Sequence, residues 1–157
     1  MYTIDEQDCV IEIDDLVPHY ETGAPDPHVF AAADNLLLWY WAGRDHEEVA
    51  VIRFITPRAH YFGSPNDEAR SGHPLYSRGL NFYGAHEVLG SSWIRLLERM
   101  NRVHPRHSPA LFEGLRHFIF CFRDDMFECV AKGFAVVARL PRDEAHTILE
   151  KLPDWLD

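Results

Sequence analysis

The first 43 residues contain no lysine and no arginine. They carry nine carboxylates, Asp5, Glu6, Asp8, Glu12, Asp14, Asp15, Glu21, Asp26 and Asp34, before Arg44 supplies the first fixed positive charge. The formal net charge of −10 is therefore concentrated at one end, because the remaining sixteen acids are nearly balanced by fifteen Lys and Arg. A segment of that sign repels phosphate, which disfavours nucleic acid as a partner. It attracts a basic protein and speeds the encounter. The six acids of the first fifteen residues, Asp5, Glu6, Asp8, Glu12, Asp14 and Asp15, are the expected binding residues, and a purely solubilising role is the alternative.

Cysteine is scarce as well. Cys9, Cys121 and Cys129 are an odd count with no C-x-x-C pair, which argues against a disulfide framework and a zinc ribbon and leaves buried thiols as the expectation. Long apolar runs are missing: the longest, Leu36 to Ala42, is far short of the roughly 20 residues that cross a bilayer. The opening MYTIDEQD is acidic where a secretory signal is basic and then apolar. The expectation is a soluble, cytoplasmic protein with no membrane association, and 157 residues at 46% hydrophobic form one domain, 1–157, with a real core. No glycine-rich phosphate loop, G-x-S-x-G elbow or H-E-x-x-H motif occurs, and no cofactor is expected.

What is present organises into strands and two helices. A short strand at about Cys9 to Ile13 precedes the surface stretch PHYETGAPDPH. The run LLLWYWA, the turn GRDHEE and the run VAVIRFIT form a hairpin whose first strand is apolar on both faces, hence covered on both sides. RHFIFCFRDDMFECVAKGFAVVA is a second hairpin. A two-residue Asp124-Asp125 loop sets Phe122 opposite Phe127, Phe120 opposite Cys129 and Phe118 opposite Ala131 on a core face. His117, Ile119, Cys121 and Arg123 then share a partly wet face with Met126, Glu128, Val130 and Lys132, and Cys121 and Cys129 lie on opposite faces. Trp93, Leu96, Leu97, Met100 and His104 recur at helical spacing behind an N-cap at Ser92, with Pro105 as the stop. Arg95, Arg99 and Arg102 stripe the other side, with Glu98 in register for Arg102. A second helix runs from about Arg142 to Leu152, with Trp155 and Leu156 packing back. The fold expected is α+β: a mainly antiparallel sheet built from two hairpins, with two helices packed on one face.

Between the hairpins, GHPLYSRGLNFYGAHEVLGSSW spaces four glycines among apolar side chains, a packed irregular segment that is either functional or an extended lid on the sheet. FGSPNDEARSGHPLY, EVLGSSWI and RHFIFCFRDDMFECVAKGF, spread over residues 61 to 134, resemble a family of small uncharacterised bacterial proteins in which HPLY, EV-x-x-SSWI and HFIF-x-F-x-D-x-x-FEC elements recur. The resemblance implies a bacterial origin and carries neither an activity nor catalytic residues.

Two functional readings follow. The first is a bacterial cytosolic protein-binding module that meets a basic protein through its acidic N-terminal lobe, as an immunity-type inhibitor meets a toxin. The second is a small enzyme or metal-binding protein using a histidine and tyrosine site around residues 73–107, with His73, Tyr76 and His86 as catalytic candidates and the H-x-x-H pair His104 and His107 as metal candidates.

Overall fold

The computed structural model describes residues 2 to 156. Nine strands form: β1 (Cys9–Glu12), β2 (His28–Ala32), β3 (Asn35–Ala42), β4 (Glu48–Ile55), β5 (Ala59–Gly63), β6 (Gly84–Leu89), β7 (Arg116–Cys121), β8 (Met126–Ala131) and β9 (Gly133–Pro141). Two helices, α1 (Ser92–Asn101) and α2 (Ile148–Leu156), and several short 3-10 turns account for the other elements of the described residues. The strands make two antiparallel sheets, one ordered β1-β6-β7-β8-β5 and the other β2-β3-β4-β9. The α+β class and the antiparallel pairing follow the sequence expectation.

β3 explains why there are two sheets. Leu36, Leu38, Tyr40 and Ala42 point into a core shared with Phe118, Phe120, Phe127 and Cys129 of the other sheet. Trp39 and Trp41 point the opposite way, onto Val49, Leu140, Ile148 and Trp155. A strand apolar on both faces needs a layer on each side, so the sheets stack and the C-terminal helix closes the outside. Three apolar layers result, and the helices are split between them. Trp93 and Leu96 of α1 cover the five-stranded sheet, whereas Ile148 and Trp155 of α2 cover the four-stranded one. This corrects the expectation of two helices on one face: each sheet has its own outer face to bury.

Local boundaries also shift. β2 arises just after the surface stretch PHYETGAPDPH, where the sequence reading assigned no strand, because His28 to Ala32 can pair with the first half of β3. The N-cap of α1 is Ser91, whose Oγ accepts from the Ile94 amide at 3.3 Å, and Ser92 is the first helical residue. Residues Arg142–Thr147 form a 3-10 turn, so the last α-helix starts at Ile148 rather than Arg142.

In the second hairpin the register moves by two: Phe120 faces Phe127, Phe118 faces Cys129 and Arg116 faces Ala131. The turn holds four residues, closed by the Phe122 amide donating to the Asp125 carbonyl at 3.0 Å. Arg70 fixes that wider turn, its Nη2 donating to the Phe122 carbonyl at 2.7 Å and the Asp125 carbonyl at 3.4 Å. A shift of two preserves the side-chain faces, so Cys121 and Cys129 remain on opposite sides. The thiols are all free, but Cys9 is exposed, against the expectation of three buried ones, because it sits on an edge strand.

The glycine-rich stretch is a cover. After a 3-10 turn at Pro74–Arg78, Leu75 and Leu80 pack on Val88, Ile119, Cys121 and Met126, sealing the face that the sequence left partly wet. Gly79 has φ +108° and lies against β1: a Cβ there would come within 2.9 Å of the Val10 carbonyl oxygen. Only glycine lets the cover approach the edge strand this closely.

Candidate functional site

The acidic segment is largely consumed by the fold itself. Asp8, 2% exposed, accepts from the Ser92 amide at 2.8 Å and from the Asp5 amide at 2.8 Å, tying the N-terminal segment to the start of α1. Asp14 accepts from the Ala85 amide at 2.5 Å and fixes the entry to β6. Asp5 pairs with Arg95, and Glu12 accepts from Asn81. The Gln7 amide and then the Arg95 guanidinium hold the Asp5 carboxyl below the usual range. Glu6 and Asp15 are exposed and carry no side-chain bond among the described residues. Of the arginine stripe, Arg95 serves the segment internally and Arg102 pairs with Glu98 at 2.7 Å.

These roles separate by measurement. Asp8→Ala removes a cap from the first turn of α1 and should destabilise the protein by about 1–2 kcal/mol. Glu6→Gln with Asp15→Asn should stay within about 0.5 kcal/mol of wild type. Urea unfolding decides it, and equal losses in both variants would remove the distinction.

The histidine candidates do not come together as one surface site. Tyr76 is exposed and packs edge-on against Phe82, with ring centroids 5.4 Å apart. His86 is fully buried opposite Glu12 and Ile119; neither ring nitrogen has a hydrogen-bond partner among the described residues, and burial pushes its pKa down. His104 Nδ1 accepts from the Arg106 amide, while His107 contacts Asn101 Oδ1 at 2.8 Å and Glu98 Oε1 at 3.0 Å. Among the described residues no group of three or more His, Cys, Asp or Glu is placed to hold a metal ion.

His73 belongs to a different assembly, centred on Glu128. This carboxylate is fully buried on β8 and accepts from Tyr2 Oη at 2.6 Å, His73 Nε2 at 3.1 Å and His117 Nε2 at 2.9 Å. His117 Nδ1 contacts Ser91 Oγ at 2.9 Å, and His73 Nδ1 accepts from the Leu75 amide at 3.2 Å. Burial pushes the Glu128 carboxyl up, but the bonds from His117 and His73 outweigh it and hold it at about 2. An ionised acid accepts only, so each imidazole carries its proton on Nε2. This group was not expected from the sequence. Its signal was present: His117 and Glu128 interrupt otherwise apolar strand faces, and an isolated acid among buried apolar neighbours requires donors.

A second buried charge, Arg70, is fully enclosed, with Nε and Nη1 unpartnered among the described residues. Its neighbour Cys121 is driven up to about 12 by burial in spite of the guanidinium.

A cleft walled by tryptophans lies elsewhere, between the outer face of β3 and the C-terminal turn. It is a cleft of about 300 Å³ walled by Trp39, Trp41, Val49, Ile148 and Leu149, with Asp26, His28 and His146 at its polar positions. The His28 ring stacks on Trp39 with centroids 5.5 Å apart and planes 4° from parallel, and its Nδ1 donates to the Asp26 carbonyl at 2.8 Å. Asp26 is the one carboxylate in the lining, which includes no lysine or arginine. The sequence does not single out this cleft, since Trp39 and Trp41 read simply as residues of a covered strand.

No protein family, curated protein or solved structure matches the chain, so these residues are read from their own geometry.

Proposed function

We propose that the protein is a cytosolic binding module for a basic protein partner, of the kind an immunity-type inhibitor of a basic toxin would be, and that the partner anchors in the Trp39–Trp41 cleft. The observation that carries the reading is the make-up of that cleft: two half-buried tryptophans and a single carboxylate, with no fixed positive charge in the lining. Its volume is at the lower end of the roughly 300–1,000 Å³ range of ligand sites, which suits one inserted side chain better than a cofactor. A Lys or Arg side chain laid on a tryptophan face gains about 0.5–2 kcal/mol, and the net charge of −10 steers a basic surface toward it.

The expected result concerns a basic binding partner immobilised on a sensor. Trp41→Ala should weaken affinity roughly thirtyfold, the ~2 kcal/mol of a central aromatic anchor. Raising salt should slow association. Binding that ignores salt, Trp39→Ala and Trp41→Ala alike would reject this function.

A further inference from the structure

We propose that Ser91 is a latent acyl-transfer nucleophile, oriented by His117 and Glu128 and kept inactive by the N-terminal segment that lies over it. Ser91 sits at a strand-to-helix turn, where β6 ends, Gly90 takes φ +60° and α1 begins. That geometry presents a side chain at the head of a helix, beside amides that lack partners within the helix.

The hydrogen-bond polarity is set from one end. Glu128 accepts from His117 Nε2–H at 2.9 Å, so Nδ1 bears the lone pair and receives the Ser91 hydroxyl proton at 2.9 Å. A hydroxyl bonded to an imidazole that a buried carboxylate holds in one tautomer is the arrangement that activates serine. The two ring nitrogens have exchanged their usual places, which changes the direction of approach and leaves the proton path intact.

Two further features mark where a substrate's oxygen would go. The amide of Ser92, next along from the nucleophile, is the donor that would meet a developing oxyanion. It is taken by Asp8 Oδ1 at 2.8 Å, a negatively charged oxygen from the N-terminal segment. The Ser92 hydroxyl beside it is buried and has no partner among the described residues. Tyr2 completes the closure: its ring stacks on Trp93 with centroids 5.3 Å apart and planes 18° from parallel, meets His117 edge-on at 5.3 Å, and its hydroxyl donates to Glu128. Ser91 is left 4% exposed.

With residues 2 to 8 displaced, Ser91 Oγ attacks the carbonyl carbon of an ester while His117 Nδ1 takes its proton. The carbonyl oxygen becomes an oxyanion at the Ser92 amide. Collapse breaks the bond to the leaving oxygen, which departs as an alcohol carrying the proton from His117. Water then attacks the acyl-serine, gives one proton to His117, and releases a carboxylic acid as Ser91 recovers its hydrogen. The sum is ester plus water to acid plus alcohol. The space vacated by Tyr2 against Trp93 selects an ester with an aromatic or flat apolar group.

The test uses an alkyl fluorophosphonate as the covalent probe and p-nitrophenyl acetate as the turnover probe, on the full chain. Tyr2→Ala and Asp8→Asn should each raise the rate of Ser91 modification, followed by intact mass and peptide mapping, by tenfold or more over wild type. Adding Ser91→Ala to either should abolish it, and adding His117→Gln should reduce it at least tenfold together with p-nitrophenyl acetate hydrolysis. Folded variants that leave Ser91 unmodified, or modify it equally without His117, overturn the proposal. If neither variant folds, wild-type protein in urea below its unfolding midpoint decides: modification of Ser91 before global unfolding supports a displaceable segment, and modification only in step with unfolding overturns it.

Discussion

Glu128→Gln is expected to destabilise the protein by about 3–5 kcal/mol, the usual cost of breaking a buried ionic cluster from one side. For a chain of this length that lowers the melting temperature by roughly 6–20 °C. The reason is geometric. Three donors converge on the carboxylate, from Tyr2, His73 and His117, and an amide offers one oxygen and one NH2. Whichever way the amide is turned, a donor meets a donor. His73 has no escape by changing tautomer, because its other nitrogen already accepts from the Leu75 amide. The pH dependence gives a separate check. The Glu128 carboxyl titrates at about 2 in the folded protein against an ordinary 4.5, so its stabilisation is complete above about pH 4.5 and is lost as pH falls toward 2. The gap in urea midpoint between wild type and Glu128→Gln should therefore be widest near neutrality and close on acidification. A gap that stays constant to pH 2 would show that Glu128 is not ionised in the fold.

Phe54→Ala is expected to cost about 3–5 kcal/mol for a different reason. Phe54 is 1% exposed, and its ring lies 5.2 Å from Phe127, 6.0 Å from Phe120 and 6.2 Å from both Phe118 and Phe134. It belongs to β4, in one sheet, whereas Phe118, Phe120 and Phe127 lie in the other and Phe134 faces it from β9 of its own sheet, so the cavity opens between the layers. Phe54→Leu should cost less than Phe54→Ala, and Val103→Ala, at a position 90% exposed, should stay within about 0.5 kcal/mol. Thermal and urea unfolding of the three variants decides it; a Phe54→Ala loss no larger than that of Val103→Ala would mean that the inter-sheet core does not carry the fold.

The apolar pattern of LLLWYWA was legible in the sequence: seven residues apolar on both faces require a layer above and a layer below. What covers each face was not legible, because period-2 alternation names a face without naming its occupant. That is why the helices came out on different sheets. The hairpin of β7 and β8 kept its faces and missed its register by two, since the turn is widened by Arg70, 52 residues from Phe122 in sequence. The acidic residues were visible as charge but not as caps: Asp8 and Asp14 bond to amides 84 and 71 positions away. The Ser91, His117 and Glu128 group failed to register for the same reason. Its members are spread over three elements: His117 and Glu128 read as strand residues, and the capping role was given to Ser92 rather than Ser91.

The bond from Tyr2 to Glu128 spans 126 positions. During synthesis Tyr2 must wait for β8 before it meets its acceptor, and β4 must likewise wait for β9. Such pairings place the loop-closure entropy late in folding and put this chain among the slower folders, with rates in the millisecond-to-second range. Until that long-range closure is made, Glu128 and His117 lack the Tyr2 hydroxyl and ring that cover them in the finished fold.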